Sequence, residues 1–265
     1  MSRGIGVIGS LDATQANTVL LRESYRTMEN PYQTPTAVVA SAVPAVPQFK
    51  DPTRLTWAAR ACLIASALMS AATIAVAAQQ YVLLKSAEAG QMTLDDFYDQ
   101  TLVQLALVGL PQLAVIVVSF VLIGMWIYRV AWNARVFAGA RNMDFTPGWS
   151  VGWYFVPFAN LWKPYQAMKE VWRASANPSQ MDRTSVSWWL PLWWLLWLAS
   201  NIVGNYAGRT SWRADSVSEE IKAALASITA DAINIPLCLV FLLIVNRVSR
   251  MQWQQRLLRE EALAR

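Results

Sequence analysis

The sequence predicts an all-α, polytopic membrane protein with four transmembrane helices. Three observations carry this. Of 265 residues, 55% are hydrophobic, and they fall in blocks of about 20 or more, the length a helix needs to cross roughly 30 Å of hydrocarbon. The chain holds 14 Trp, many near the ends of those blocks, where an aromatic belt meets the headgroups. Lys and Arg gather in alternate connections between the blocks. An interfacial or re-entrant Trp/Pro element and a short amphipathic helix are expected between helices 2 and 3.

Residues 1–50 are expected to form a disordered cytoplasmic tail. Pro31, Pro35, Pro44 and Pro47 punctuate small and polar residues there, and no apolar stripe persists. The segment Met28-Glu-Asn-Pro-Tyr-Gln-Thr-Pro resembles the opening of many short bacterial membrane proteins. Translation from Met28 rather than Met1 is therefore an expectation, which the intact mass of the natively expressed protein tests. Residues 51–250 are the expected four-helix domain, and 251–265 a basic cytoplasmic C-terminal tail.

Span 1 is expected over about 55–84. Ala67, Ala71, Ala75 and Gln79 recur every four residues, a small-residue ridge that would let another helix approach closely, within the bundle or from a second copy. Span 2 covers about 102–128, with Pro111 in its first third and Trp126 and Tyr128 at its far end. Span 3 covers about 188–206, with five Trp between Trp188 and Trp197. Span 4 covers about 223–245, and Ser216 followed by Glu219 suggests a capping box ahead of it.

The charges orient these spans. Lys50, Arg54 and Arg60 sit around the start of span 1, seven Lys and Arg lie between spans 2 and 3, and five follow span 4, fifteen in all. The other two connections hold only Lys85, Arg209, Arg213 and Lys222. The positive-inside rule places both termini and the long middle connection in the cytoplasm. The loop with Asp95, Asp96 and Asp99 then lies outside.

The middle connection contains Phe145–Trp172, apolar yet broken by Gly148, Gly152, Pro157 and Pro164. If residues 148–162 crossed the membrane, one basic cluster would move outside. A tract that dips in or lies at the cytoplasmic surface keeps every cluster inside. Such backbone must be covered by protein. Pro164 suits the first turn of a new helix, with Leu161, Tyr165, Met168 and Trp172 along one face, as in an interfacial amphipathic helix.

The same tract carries a resemblance. Trp126, Arg129 and Asn133 are followed by Pro147, Gly148, Trp149, Val151, Gly152, Trp153, Pro157, Asn160, Leu161 and Pro164. This spacing resembles a bacterial family catalogued as a domain of unknown function, DUF4328, with Trp172 and the Trp-rich third span also fitting. The likeness covers about residues 55–250. It implies four spans and a bacterial inner (cytoplasmic) membrane, and no activity.

Composition excludes several functions. There is no His, which removes the commonest general base and a common ligand for zinc, copper and haem iron. Cys62 and Cys238 both sit in apolar blocks, where a free Cys behaves as a small hydrophobe. Phosphate-cradling Gly loops, metal-ligand clusters and Ser/His/Asp arrangements are missing, so no enzyme and no cofactor is expected. The net charge of +5 is carried by residues flanking apolar blocks. Lipid headgroups rather than nucleic acid are the expected partner, with a protein at the cytoplasmic face or a second copy as further partners.

Two candidate sites follow. Trp126, Arg129, Asn133, Trp149, Trp153, Pro157, Asn160 and Pro164 would form a cytoplasmic pocket with aromatic walls and amide donors. Their plainer role is structural, with Gly and Pro shaping a turn and Asn tying up freed backbone groups. The second candidate is an intramembrane polar cluster of Gln79, Gln104, Gln112, Asn201, Asn205, Asp231 and Asn234 in the outer halves of the spans. An ionisable residue within a span points to function by default. Asp231 would bind a cation or proton, or hydrogen-bond to Asn201 or Asn205 as interhelical glue, or lie at the outer surface if span 4 starts later. The expected function is a non-enzymatic module that binds lipid or a partner. The alternative is a small transporter or channel built on Asp231.

Overall fold

The structure, a computed structural model, describes residues 48–91 and 93–265. The expected tail over 1–50 and the choice between Met1 and Met28 lie outside those residues, except for 48–50. Among the described residues the fold is all-helical. Three helices are long and apolar enough to cross a membrane: Thr53–Glu88, Asp95–Ala138 and Val217–Leu263.

Helix α1 spans Thr53–Glu88, about 54 Å at 1.5 Å per residue. Asp51 Oδ1 accepts from Thr53 N at 2.8 Å just before it. It stops at Gly90, whose φ of 73° suits glycine. Gly90 N donates to Ala87 O and Gln91 N to Ser86 O, the paired bonds of a Schellman cap. Helix α2, Leu94–Gln104, opens with a reciprocal cap. Asp96 N donates to Thr93 Oγ1 at 3.2 Å, and Thr93 N donates back to Asp96 Oδ2 at 3.3 Å.

A π-helical turn over Leu105–Gly109 joins α2 to α3, Leu110–Ala138. Span 2 was expected to begin near Leu102; instead one nearly continuous helix runs from Leu94. Pro111 explains the wide turn. It lacks an N–H and its ring crowds the carbonyl four residues back, which a π-bulge relieves. Gly139, at φ 86°, ends α3.

The middle connection folds as short pieces: α4, Pro147–Gly152, then 3-10 turns at Trp153–Phe155 and Ala159–Leu161, then α5, Lys163–Ala176. Thr146 Oγ1 caps α4 by accepting from Trp149 N. Helices α6, Trp189–Ser211, and α7, Val217–Leu263, complete the chain. The segment 251–265, expected as a tail, is helical to Leu263.

Helix α7 packs along both α1 and α6, and α1 packs along α3. The order α3–α1–α7–α6 leaves α3 and α6 without extended packing on each other. At the end carrying Lys50, Arg129 and Arg247, here the basic end, the core is dense. Trp126, Val130, Leu190, Ile244, Val245 and Val248 are almost fully buried there. Trp193 stacks on Phe241 at 5.0 Å and Trp126 meets Phe241 edge-on at 5.9 Å. Elsewhere Leu107, Leu110, Leu113, Leu195 and Ile202 are exposed, an apolar belt too large for a water-facing surface.

Three expectations are corrected. Within the chain, the ridge of Ala67, Ala71, Ala75 and Gln79 packs only through Ala67, because Ala71, Ala75 and Gln79 are exposed. The face towards the bundle carries Thr56, Ala59, Leu63, Ser70 and Ala77 instead, where larger and hydroxylated side chains interlock with α7. The Ser216/Glu219 box does not close. Glu219 Oε2 accepts from Asp215 N at 2.9 Å, one residue too early, and Ser216 makes no side-chain cap bond. The amphipathic helix α5 turns its apolar face into the protein core. Met168, Val171 and Trp172 are buried there, whereas Leu161, expected on that face, is exposed in the preceding turn.

Candidate functional site

The residues proposed as a cytoplasmic pocket separate into two places. Trp126, Asn133 and Pro164 are fully buried. The Asn133 carboxamide grips the backbone of Lys50 at two points: Oδ1 accepts from Lys50 N at 2.9 Å and Nδ2 donates to Lys50 O at 2.8 Å. Its Nδ2 also donates to Gln252 Oε1 at 3.1 Å, and Gln252 Nε2 reaches Val130 O and Ser175 Oγ. Arg129 Nη1 donates to Asp51 O at 2.7 Å, and Trp126 Nε1 to Thr56 Oγ1 at 3.3 Å. Lys50 Nζ lies over the Trp132 ring, 4.0 Å from its centroid. These residues bind the segment before α1 to α3 and α7. The Thr53 hydroxyl and amide beside Asp51 hold its carboxyl below the usual carboxylate range.

Trp149 and Trp153, 4.6 Å apart, face an open hollow of about 970 Å³ instead. Lys163, Lys169 and Arg173 line it, as do Asp144, Glu170 and Asp182, so its charges balance. Glu170 accepts from Asp144 N at 2.6 Å and Phe145 N at 3.1 Å, fastening the loop to α5. Burial pushes its carboxyl above the usual range, against the pull of those two amides. Pro157 is exposed and lines neither place, and Asn160 Oδ1 is buried without a partner.

The polar cluster also divides. A cleft of about 570 Å³ opens between α3 and α6, floored by α1 and α7. Gln112, Asp231 and Asn234 line it, with Ser66, Ser119 and Ser200. Asp231 Oδ1 accepts from Ser70 Oγ at 2.7 Å, Oδ2 lies 2.9 Å from Thr73 Oγ1, and Asn234 Nδ2 donates to Ser70 Oγ at 2.9 Å. Asn201 and Asn205, expected beside Asp231, are exposed and donate back to Trp197 O and Asn201 O of their own helix. Helix α6 turns them away, so α1 supplies the partners of Asp231. Gln104 donates to Gln79 Oε1 at 3.5 Å and accepts from Gln80 Nε2 at 3.4 Å, and neither Gln79 nor Gln104 lines the cleft.

Val151 and Tyr154 of the Trp/Pro tract line the cleft, with Trp193, Trp197 and Phe241. Tyr154 meets Trp197 edge-on at 5.8 Å. A Cβ added at Gly124 would make only an ordinary contact with Val151, at 3.6 Å, so the tract packs against α3 at that point.

The family model described as "Domain of unknown function (DUF4328)" matches residues 98–250, more than half the chain. The chain belongs to the DUF4328 family. No match was found among curated proteins or among solved structures. In this DUF4328 protein the matched segment contains Asp231, Asn234, Gln112 and the whole Trp/Pro tract. Helix α1, which brings Ser70 and Thr73 to Asp231, lies before it.

Ser70 and Thr73 were missed in the sequence. A hydroxyl in an apolar helix ordinarily bonds its own backbone, and Thr73 also lies within reach of Met69 O and Ser70 O. The available signal was spacing: Ser66, Ser70 and Thr73 follow the helical repeat on the face of α1 beside Ala59 and Leu63.

Proposed function

We propose that this DUF4328 protein is a non-enzymatic module of the bacterial inner membrane that holds a lipid-like ligand in the cleft between α3 and α6. In this reading it spans the membrane four times, with both termini cytoplasmic. Helix α6 is then the third span in chain order, added to the three long apolar helices. It is about 35 Å long at 1.5 Å per residue and runs along α7. Its Trp lower its hydropathy, yet Trp is favoured at the membrane interface. With only three spans the termini would lie on opposite faces, and an Arg-rich end would be outside. The Trp/Pro tract is re-entrant. Phe155 packs on Phe120 at 5.5 Å, and Phe120 is about 13 Å along the helix from Arg129 at the usual rise.

The cleft itself carries the functional reading. Its volume lies within the roughly 300–1,000 Å³ typical of ligand sites, and its walls are largely apolar and aromatic. Such a groove suits an acyl or alkyl chain entering from the bilayer. Gly204 lines it, and a Cβ added there meets nothing within 4 Å. Gly204→Phe should therefore fill the groove without straining the helix. Native mass spectrometry of detergent-purified protein should show bound lipid on the wild type and at least a fivefold loss in Gly204→Phe. Equal lipid on both, with equal thermal stability, would refute the reading.

Transport is the second reading, favoured by Asp231 on the cleft wall. Against it, Trp126, Trp193 and Phe241 fill the path towards the basic end. A proton or cation flux into liposomes that is lost in Asp231→Asn would favour transport.

A further inference from the structure

We infer that the ligand of this cleft is an amphipathic amine: a chain in the apolar groove and an ammonium group against Asp231. The inference rests on the lipid-like reading above and names the head group that reading leaves open.

The cleft has a surplus of acceptors. Asp231 presents a carboxylate to its wall, and among the described residues it takes part in no salt bridge. Among the described residues, no Lys or Arg lines the cleft. The donors offered to Asp231 are the hydroxyls of Ser70 and Thr73. Across the groove, Gln112 Oε1 is buried with no hydrogen-bond partner among the described residues. Asn234 Oδ1 has only the Cys238 thiol, at 3.9 Å. A buried charge or acceptor without a partner is costly. A ligand bringing several N–H donors and a positive charge meets this need, whereas a phosphate or carboxylate would meet repulsion.

Depth narrows the class. Asp231 lies nine residues after Lys222, about 13 Å along α7 from the outer charged end. An ammonium that must sink that far is best carried on a head group with no other charge. A phosphatidylethanolamine would bring its phosphate down beside Asp231. Tyr154, Trp193, Trp197 and Phe241 line the deeper groove, where aromatic faces accommodate the chain.

Calorimetric titration of the full chain in maltoside micelles tests this. Decylammonium and decanol match in chain length and differ in head group. For the wild type, decylammonium should bind at least tenfold tighter than decanol. Asp231→Asn keeps the shape and should bring that ratio to about one. If Asp231→Asn does not fold, Gln112→Leu serves. It removes an acceptor that has no protein partner and should cut the preference at least threefold. Dioleoyl phosphatidylethanolamine should not compete at equal concentration.

Equal affinity for amine and alcohol in the wild type would overturn the inference. So would a tenfold preference that survives Asp231→Asn, or competition by the phospholipid. If neither decyl compound binds but native lipid is lost in Gly204→Phe, the amine is wrong and the lipid reading stands. If neither binds and Gly204→Phe loses no lipid, both fail.

Discussion

Asn133→Ala isolates the bond that ties the chain ahead of α1 to the bundle. The wild-type carboxamide makes three hydrogen bonds, two to Lys50 and one to Gln252, and is fully buried. Alanine removes all three. The Lys50 backbone groups regain water once the segment lifts, at about 1 kcal/mol each. Gln252, fully buried, keeps its Nε2 bonds but leaves Oε1 unpaired, which costs about 1–3 kcal/mol. The sum is about 3–5 kcal/mol. For a chain of this size 1 kcal/mol moves Tm by about 2–4 °C, so a fall of at least 6 °C is expected. Differential scanning fluorimetry in detergent reads it. Trypsin should also cut after Lys50 faster in the variant, because Asn133 no longer holds the backbone there. A Tm change under 2 °C with unchanged cleavage would refute the structural role and return Asn133 to the candidates for ligand contact.

Other expectations concern α1, the threading and one glycine. Ser70→Ala removes a donor from Asp231 and an acceptor from Asn234 and should cost about 1–3 kcal/mol. Ala71→Leu, on the exposed ridge, should change stability by less than about 0.5 kcal/mol; thermal unfolding of both variants checks the corrected face. With Cys62 and Cys238 replaced by Ser, a cysteine at Asp182 should resist a membrane-impermeant maleimide in whole cells, and one at Arg213 should react. The reverse pattern would overturn the orientation. Gly139→Val places a β-branched residue at φ 86° and should destabilise by about 1–3 kcal/mol, measurable by the same unfolding assay.

What the sequence made legible followed from length and charge. Long apolar blocks produced α1, the α2–α3 run and α7 in their places, and the motif from Trp126 to Pro164 marked the family. What it hid depended on rotation and on neighbours far along the chain. Alanines at 67, 71 and 75 form a regular ridge, but the pattern does not say that Ser70, on another face, meets Asp231 from 161 residues away. Asn201 and Asn205 share the depth expected of Asp231. Their own backbone satisfies them, and α6 turns them outward. The Trp126/Asn133 motif looked like a pocket because buried amides and aromatics serve packing and binding alike. Only the location of Lys50 decides between the two.

Selective occupancy of the cleft from the bilayer can be read directly by photocrosslinking. A benzoylphenylalanine at Ser200, which lines the cleft, can be compared with one at Leu195, exposed on the same helix. After irradiation in native membranes, mass spectrometry identifies the lipid attached at each site. One enriched class of amphiphile is expected at residue 200 and the bulk membrane composition at residue 195. The same bulk composition at both sites would contradict selective occupancy.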